Sequence, residues 1–413
     1  MTDVGVGWRC VVCGTTVPLS EPFPWRCPRS TATDRRHVLR FVDDRPPPRP
    51  LDDPNPFVRY GPRLAWWAFA TANRLTDDDC VSLTRSVVGD AVVTPFCRSE
   101  VVSDELGFDV WVKDETGNVG GSHKFRHLTS ILLHLLAAER LGLLPTRPPL
   151  AIASCGNAAL AAATLAARVG WPIDVYVPEW MDDAFGVRLD ELAARTHRCP
   201  RRPDDPPGDP AVHRFRDAVA AGAVPFSVQG PENALCLDGG RTLGWEMADA
   251  AAAGGTPLDA VFVQVGGGAF ATCVGDALGP SVRLHAVQVE GCAPLARAWH
   301  LAVDERDHEL SDHEIAARWH ELMIPWPDPH SAADGILDDE TYDGLGVITA
   351  MRRSGGGPIV ATEAHVLAAR DLAQRGGFRA SHTGAAGLAG LLAARNHVPD
   401  DERVAVVMSG VAR

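Results

Sequence analysis

The sequence predicts an α/β protein whose sheet is largely parallel and covered by helices on both faces. Three observations predict it. Short apolar runs with strand character alternate along the chain with longer runs at helical spacing. Glycine-bearing turns stand where three of those strands run into helices, the edge of an open sheet at which ligands gather. And 46% of the 413 residues are hydrophobic, ample for two or three domains or one large α/β unit.

The elements follow in order. Residues 1–42 stand apart: "WRCVVCG" and "WRCPRS" frame a short segment containing Pro and Trp, and Cys10-x-x-Cys13 with Cys27 reads as half of a zinc ribbon. A closed structural zinc site needs four ligands. Ser30 stands where the last cysteine is expected, so His37 is the candidate fourth ligand. "DDRPPPRPLDDPNPF" then reads as an extended arm. "FDVWVK" is a strand. Leu128, Ile131, Leu132, Leu135 and Leu136 make the stretch after Lys124 an amphipathic helix. "PLAIAS" is a short buried strand and "NAALAAATLAARVG" a helix stopped by glycine. "IDVYVP" is the next strand, and "PRRPDDPPGDP" a surface loop, because its prolines and aspartates forbid a regular element. "AVFVQV", "AFATCVGDAL" and "RLHAVQVE" continue the alternation. "EAHVLAARDLAQRGG", "GAAGLAGLLAARN" and the strand "RVAVVMS" complete it.

Charge narrows the function. The formal net charge is −14, with no basic tail or stripe, which argues against nucleic acid or an anionic membrane as partner. The N-terminus lacks an apolar signal core and no apolar run approaches ~20 residues. A cytoplasmic protein is expected, its ten cysteines reduced apart from those on metal.

Lysine is scarce. Of 39 Lys and Arg residues, only Lys113 and Lys124 are lysine. Lys113 ends a strand beside Asp114 and Glu115 and reads as an ion-paired structural residue. Lys124 follows "GGS" in the first turn of a helix, where the helix dipole disfavours an ammonium and helps lower its pKa. A neutral amine is what Schiff-base chemistry requires, and arginine cannot supply it. The second turn, "SCGNAA", opens an Ala-rich helix; its amides suit a carboxylate or phosphate, with Asn157 either reaching a ligand or capping the helix. The third, Gly266, Gly267 and Gly268, is a phosphate cradle or a tight turn, and is neither a Walker A loop nor a dinucleotide fingerprint. An amine, an anion-binding turn with an amide side chain and a phosphate cradle together match pyridoxal phosphate, which carries an aldehyde, a hydroxyl and a phosphate.

On these residues the chain resembles the tryptophan-synthase-β-like, fold type II pyridoxal-phosphate enzymes, and threonine synthases among them. "GSHKFR", "SCGNAA" and "GGGAF" are similar to the family's lysine, asparagine and glycine loops. "GGRTLGWEMADA", "ADGILDDETYDGLGVITAMRRSGGG" and "SHTGAAGLAGL" resemble the threonine synthase stretches in the same places. The resemblance implies a catalytic domain over residues 43–413 with two parallel-sheet subdomains, the smaller at roughly 145–225, and a homodimer. It implies that Lys124 forms the Schiff base, that Asn157 bonds the phenolic oxygen, and that Gly266, Gly267, Gly268 and Ala269 bind the phosphate. Ser409 would face the pyridine nitrogen. Ser154, Cys155 and Ala158 would hold the substrate carboxylate. The expected reaction is elimination or replacement on an amino acid, with O-phosphohomoserine to threonine as the lead. A β-replacement of cysteine- or cysteate-synthase type, or a serine/threonine dehydratase reaction, is the alternative. A non-catalytic binding module that keeps the fold is the reading from another class.

Overall fold

The computed structural model describes residues 5–89, 91–206, 208–303 and 310–412. Three strands of the N-terminal segment, β1 (Val6–Cys10), β2 (Thr16–Pro18) and β3 (Leu39–Asp43), form an antiparallel sheet with β1 in the middle. Trp8 and Leu39 turn their buried side chains into the same apolar core as the helix Lys124–Arg140, so this small sheet is seated on the rest of the chain.

The chain enters the main sheet through β4 (Phe96–Arg98) and β5 (Asp109–Asp114). It then leaves for a second sheet of β6 (Leu150–Ala153), β7 (Ile173–Pro178), β8 (Arg195–Cys199) and β9 (Val224–Pro225), all parallel and ordered β8-β7-β6-β9. It returns through β10 (Ala260–Gln264), β11 (Arg283–Val289), β12 (Gly357–Ala361) and β13 (Arg403–Met408). The main sheet runs β12-β11-β10-β13-β5-β4, parallel except for the edge strand β4. The chain thus builds two mainly parallel sheets, as the resemblance implies, and passes out of the larger into the smaller and back.

Side-chain alternation explains why the main sheet is buried on both faces. Val261 and Val263 of β10 and Ala405 and Val407 of β13 enter one apolar cluster, while Ala260, Phe262, Val404 and Val406 enter another on the opposite face. The helix Lys124–Arg140 is buried continuously from Phe125 to Ala138, which fixes its first turn against the protein interior. Residues 201–206, 208 and 209 form no helix or strand, in keeping with Pro203 and Pro206; Pro207 of that loop lies outside the described residues. All ten cysteines are free thiols. No described helix is long and apolar enough to cross a membrane.

Candidate active site

Lys124 is the first residue of its helix, set there by a turn that leaves β5 through Val119–Gly121. The cap position is His123; Ser122 is extended and bridges Gly410, and among the described residues the buried Ser122 Oγ has no partner. His123 ties the turn to β13 twice, its backbone N–H donating to the Ser409 carbonyl at 3.0 Å and its Nδ1 reaching the same oxygen at 3.0 Å. A carbonyl only accepts, so Nδ1 carries the proton. The ring stacks on Phe270 with centroids 4.0 Å apart. Burial first, then His127 and Lys124, push its pKa well below the usual histidine range, so it is a neutral packed ring.

Lys124 is half-buried, and among the described residues its Nζ has no hydrogen-bonding or ion-pairing partner. Burial lowers its pKa; Asp338, Cys155 and Asp334 oppose that shift. The second turn meets it here. Asn157 is the first residue of the helix Asn157–Val169, after Gly156 at the cap, so it does not spend its amide on capping. It lies against Gly410: a Cβ at that glycine would stand 2.7 Å from Asn157 Nδ2. Ser154 and Cys155 precede it, half-buried, and Ala158 follows, buried.

The glycine turn closes the site from the main sheet. Gly266, Gly267 and Gly268 join β10 to the helix Ala269–Leu278, with Gly268 at φ +94°. A Cβ at Gly266 would lie 2.3 Å from Asp338 Oδ2, so only glycine fits. At the end of β13, Ser409 is buried, and its Oγ accepts a hydrogen bond from Gln264 Nε2. The same nitrogen faces the carbonyls of Gly384 at 3.0 Å and Thr383 at 3.1 Å, which fixes the orientation of the amide. Since Ser409 accepts there, its own O–H remains to donate into the site. The structure thus gathers Lys124, Asn157, Ser409 and the glycine turn at the carboxyl ends of β5, β6, β13 and β10.

The Pyridoxal-phosphate dependent enzyme family matches residues 89–410. The chain belongs to that family. Its fold is similar to that of several solved structures. The processed form of threonine deaminase isoform 2 from Solanum lycopersicum is 18% identical, with TM-score 0.63 over 82% of this chain and 91% of that one. Serine racemase from Dictyostelium discoideum is 17% identical, with TM-score 0.62 over 81% and 98%. Diaminopropionate ammonia lyase from Escherichia coli is 17% identical, with TM-score 0.61 over 80% and 88%. No curated protein matches the chain.

The residues present fit the family's cofactor. Ser409 accepts from Gln264 and keeps a hydroxyl proton to give, the glycine turn exposes backbone amides that no Cβ covers, and among the described residues Lys124 is unpaired. When bound, pyridoxal phosphate supplies an electron sink for charge developing at the Cα of an amino acid.

Two acids of this site escaped the sequence reading. Asp338 is pushed up to about 6, chiefly by burial; Lys124 and the Gly267 amide draw it down and Asp339 pushes it further up. Asp343 is pushed up to about 7 by burial, against Gly230 and Arg40. The signal was visible in the acid-rich "GILDDETYDG", set in a stretch otherwise apolar enough to bury it.

Asp343 yields a stability prediction. Its Oδ2 accepts from the Gly230 amide at 3.1 Å, its Oδ1 has no partner, and its own N–H donates to the Gly267 carbonyl at 2.7 Å. The folded pKa lies above the ordinary 3.8, so the native state holds a proton that the unfolded chain gives up. Stability therefore falls as pH rises from about 4 to about 7, and the penalty is complete above that. Asp343→Asn keeps an acceptor for Gly230 and removes the ionisation. It is expected to stabilise the fold at about pH 8 by at most roughly 4 kcal/mol, read as a higher urea midpoint, and to do much less at about pH 5. Equal gains at both pH values would refute the ionisation argument.

The N-terminal candidates also converge. The ligand atoms of Cys10, Cys13, Cys27 and His37 all lie within 4.8 Å of one another. Cys13 Sγ is 3.7 Å from Cys27 Sγ, and Cys10 Sγ is 3.5 Å from His37 Nδ1. A tetrahedral zinc with bonds of about 2.3 Å needs edges of about 3.8 Å, so the set is already spaced for one ion.

Proposed function

We propose that the chain catalyses elimination or replacement at the side chain of a small amino acid whose leaving group is not a phosphate. The observation that carries this is Asp338, a carboxyl held between Lys124 and the glycine turn. The charged or ionisable groups that act on Lys124 are Asp338, Cys155 and Asp334, and none is cationic. A second phosphate beside the cofactor's own would meet only like charge there.

In this reading the amides of Ser154, Cys155 and Ala158 hold the substrate carboxylate at the start of the helix Asn157–Val169. Lys124 Nζ, free and depressed in pKa, takes the proton from Cα. Ser409 would hold the cofactor's ring nitrogen by a hydrogen bond from its hydroxyl, which keeps its own proton, and a nitrogen held that way favours loss of a side-chain group over transamination. Asp338, which burial keeps protonated to higher pH than an ordinary carboxyl, donates a proton to a departing hydroxyl or amine. Conversion of O-phosphohomoserine to threonine is the second reading, favoured by the stretches "GGRTLGWEMADA" and "SHTGAAGLAGL".

The visible spectrum of the cofactor-loaded protein separates the two. Serine, threonine or cysteine is expected to change it, with release of a keto acid, while O-phosphohomoserine leaves it unchanged. The reverse pattern would overturn the first reading in favour of the second, and an inert spectrum with all four would leave the non-catalytic module. Asp338→Asn adds a finer check: turnover of serine should fall roughly 10²-fold or more, and turnover of an O-acetylated serine, whose leaving group needs no proton, much less.

We further propose that Cys10, Cys13, Cys27 and His37 hold one structural zinc. One zinc per chain is the expected metal content. Cys27→Ser should lose it and lower the thermal unfolding midpoint, because site formation and folding of β1–β3 are one event. Retention of a full equivalent by that variant would exclude this ligand set.

A further inference from the structure

A cavity of about 620 Å³ lies outside the candidate active site, where the two parallel sheets meet behind the lysine turn. Gly120 and Gly121 form one wall, Leu160 and Thr164 a second, and Arg188, Glu191 and Leu192 a third; Arg379, Val411 and Ala412 close it. Most arginines of this chain are spent in ion pairs, as Arg40 is on Asp276, or on ring faces, as Arg403 is on Trp111. Arg188 and Arg379 are not. Among the described residues neither has an ion-pair partner, and their side chains make no hydrogen bond. Both arginines line the cavity and both are exposed to solvent, so an anion entering it meets two cations that no carboxylate has already paired. Glu191 offsets one of the two charges, so the cavity carries a net positive charge in a protein whose net charge is −14.

We propose that this cavity binds a small dicarboxylate. The two arginines stand on different bodies: Arg188 is on the helix Asp183–Glu191 between β7 and β8, and Arg379 precedes the bridge between Ala380 and Val411 that leaves the main sheet. The volume falls in the range of small-molecule sites and exceeds what one inorganic phosphate fills. A ligand with a carboxylate at each end spans the two cations, each in a bidentate pair. Its position gives it a consequence. The Val411 amide donates to the Gly121 carbonyl at 2.8 Å, and Gly410 bridges Ser122, so the cavity wall is the outer side of the turn that carries Lys124. A bound dicarboxylate holds the two sheets together at that turn and damps its opening.

The test is calorimetric titration of the cofactor-loaded protein with succinate, repeated with inorganic phosphate and on Arg188→Gln, Arg379→Gln and the double variant. Neither residue belongs to the catalytic or cofactor-binding set, so the visible spectrum should be unchanged in all three. Saturable succinate binding that weakens about tenfold or more in each single variant, with slower hydrogen exchange at the Val411 amide in wild type only, is the expected result. Absence of saturable binding, or binding of equal strength in the double variant, overturns the site. Phosphate binding as tight as succinate, with the same arginine dependence, overturns the dicarboxylate assignment and makes it a general anion site.

Discussion

Lys124→Ala is expected to abolish turnover, by at least roughly 10³-fold, and to remove the covalently held cofactor absorbance. The geometry leaves no substitute amine. The other lysine, Lys113, is fully buried and paired with Glu246, with a further bond to the Thr94 carbonyl at 2.7 Å. The histidines nearest the site are disarmed: His123 is held at Ser409 and His127 at the Cys236 carbonyl, 2.8 Å away, and burial pushes His127 down to about 4. Arginine at position 124 should fail as completely as alanine, since it cannot lose its proton at working pH. Both variants should fold, because Lys124 makes no partnered contact that alanine would leave stranded. The check is turnover alongside circular dichroism and cofactor content. Activity of the folded alanine variant near wild type would remove Lys124 from the chemistry.

The sequence made the reacting lysine legible and its surroundings much less so. Lys124 stood out because a strand, a glycine turn and a buried helical face placed an amine at a helix start, all local signals. Lys113 was readable as ion-paired, but its partner Glu246 lies 133 residues away, and the neighbouring Asp114 and Glu115 gave no hint of it. The strand β8 was missed because "RTHRC" is mostly polar and exposed, with only Cys199 buried, at the edge of its sheet, where no apolar run is needed. The edge strand β4 is three residues long and mostly exposed. Asp338 and Asp343 carry only a weak local signal, the acid-rich stretch they share, because which acids are buried is set by how residues 334–343 fold back over the glycine turn. The four zinc-ligand candidates, by contrast, lie within one short segment, where spacing alone nearly determines the geometry.

Arg126→Met is expected to destabilise the fold by roughly 3–5 kcal/mol, more than any surface charge in the chain. Arg126 is almost wholly buried and satisfies two carboxylates at once. Its Nε and Nη2 meet Glu115 at 2.8 and 2.9 Å, and its Nη1 and Nη2 meet Glu246 at 2.7 and 3.0 Å. Thr242 Oγ1 accepts the last proton, on Nη1, at 2.9 Å, and Thr94 Oγ1 shares the Nη2 protons at 3.0 Å. With Lys113 the cluster holds two cations and two anions, so it is neutral as built. Methionine fills much of the volume and strands one negative charge without water, and that stranded charge, not the lost packing, is the main cost. The pH dependence distinguishes the two. Burial alone would raise the Glu115 carboxyl, yet Arg126 holds it down to about 2. A lowered carboxyl stabilises the fold above its ordinary value of 4.5, and that contribution is lost as pH falls toward about 2. The gap between wild type and Arg126→Met should therefore narrow in acid, measured as the difference in denaturant midpoints. Adding Glu115→Gln to Arg126→Met should recover part of the loss at neutral pH, since it removes the stranded charge while keeping the shape. A double variant no more stable than the single one, with a gap constant across pH, would assign the cost to packing and refute the electrostatic account of how the Lys124 helix is anchored.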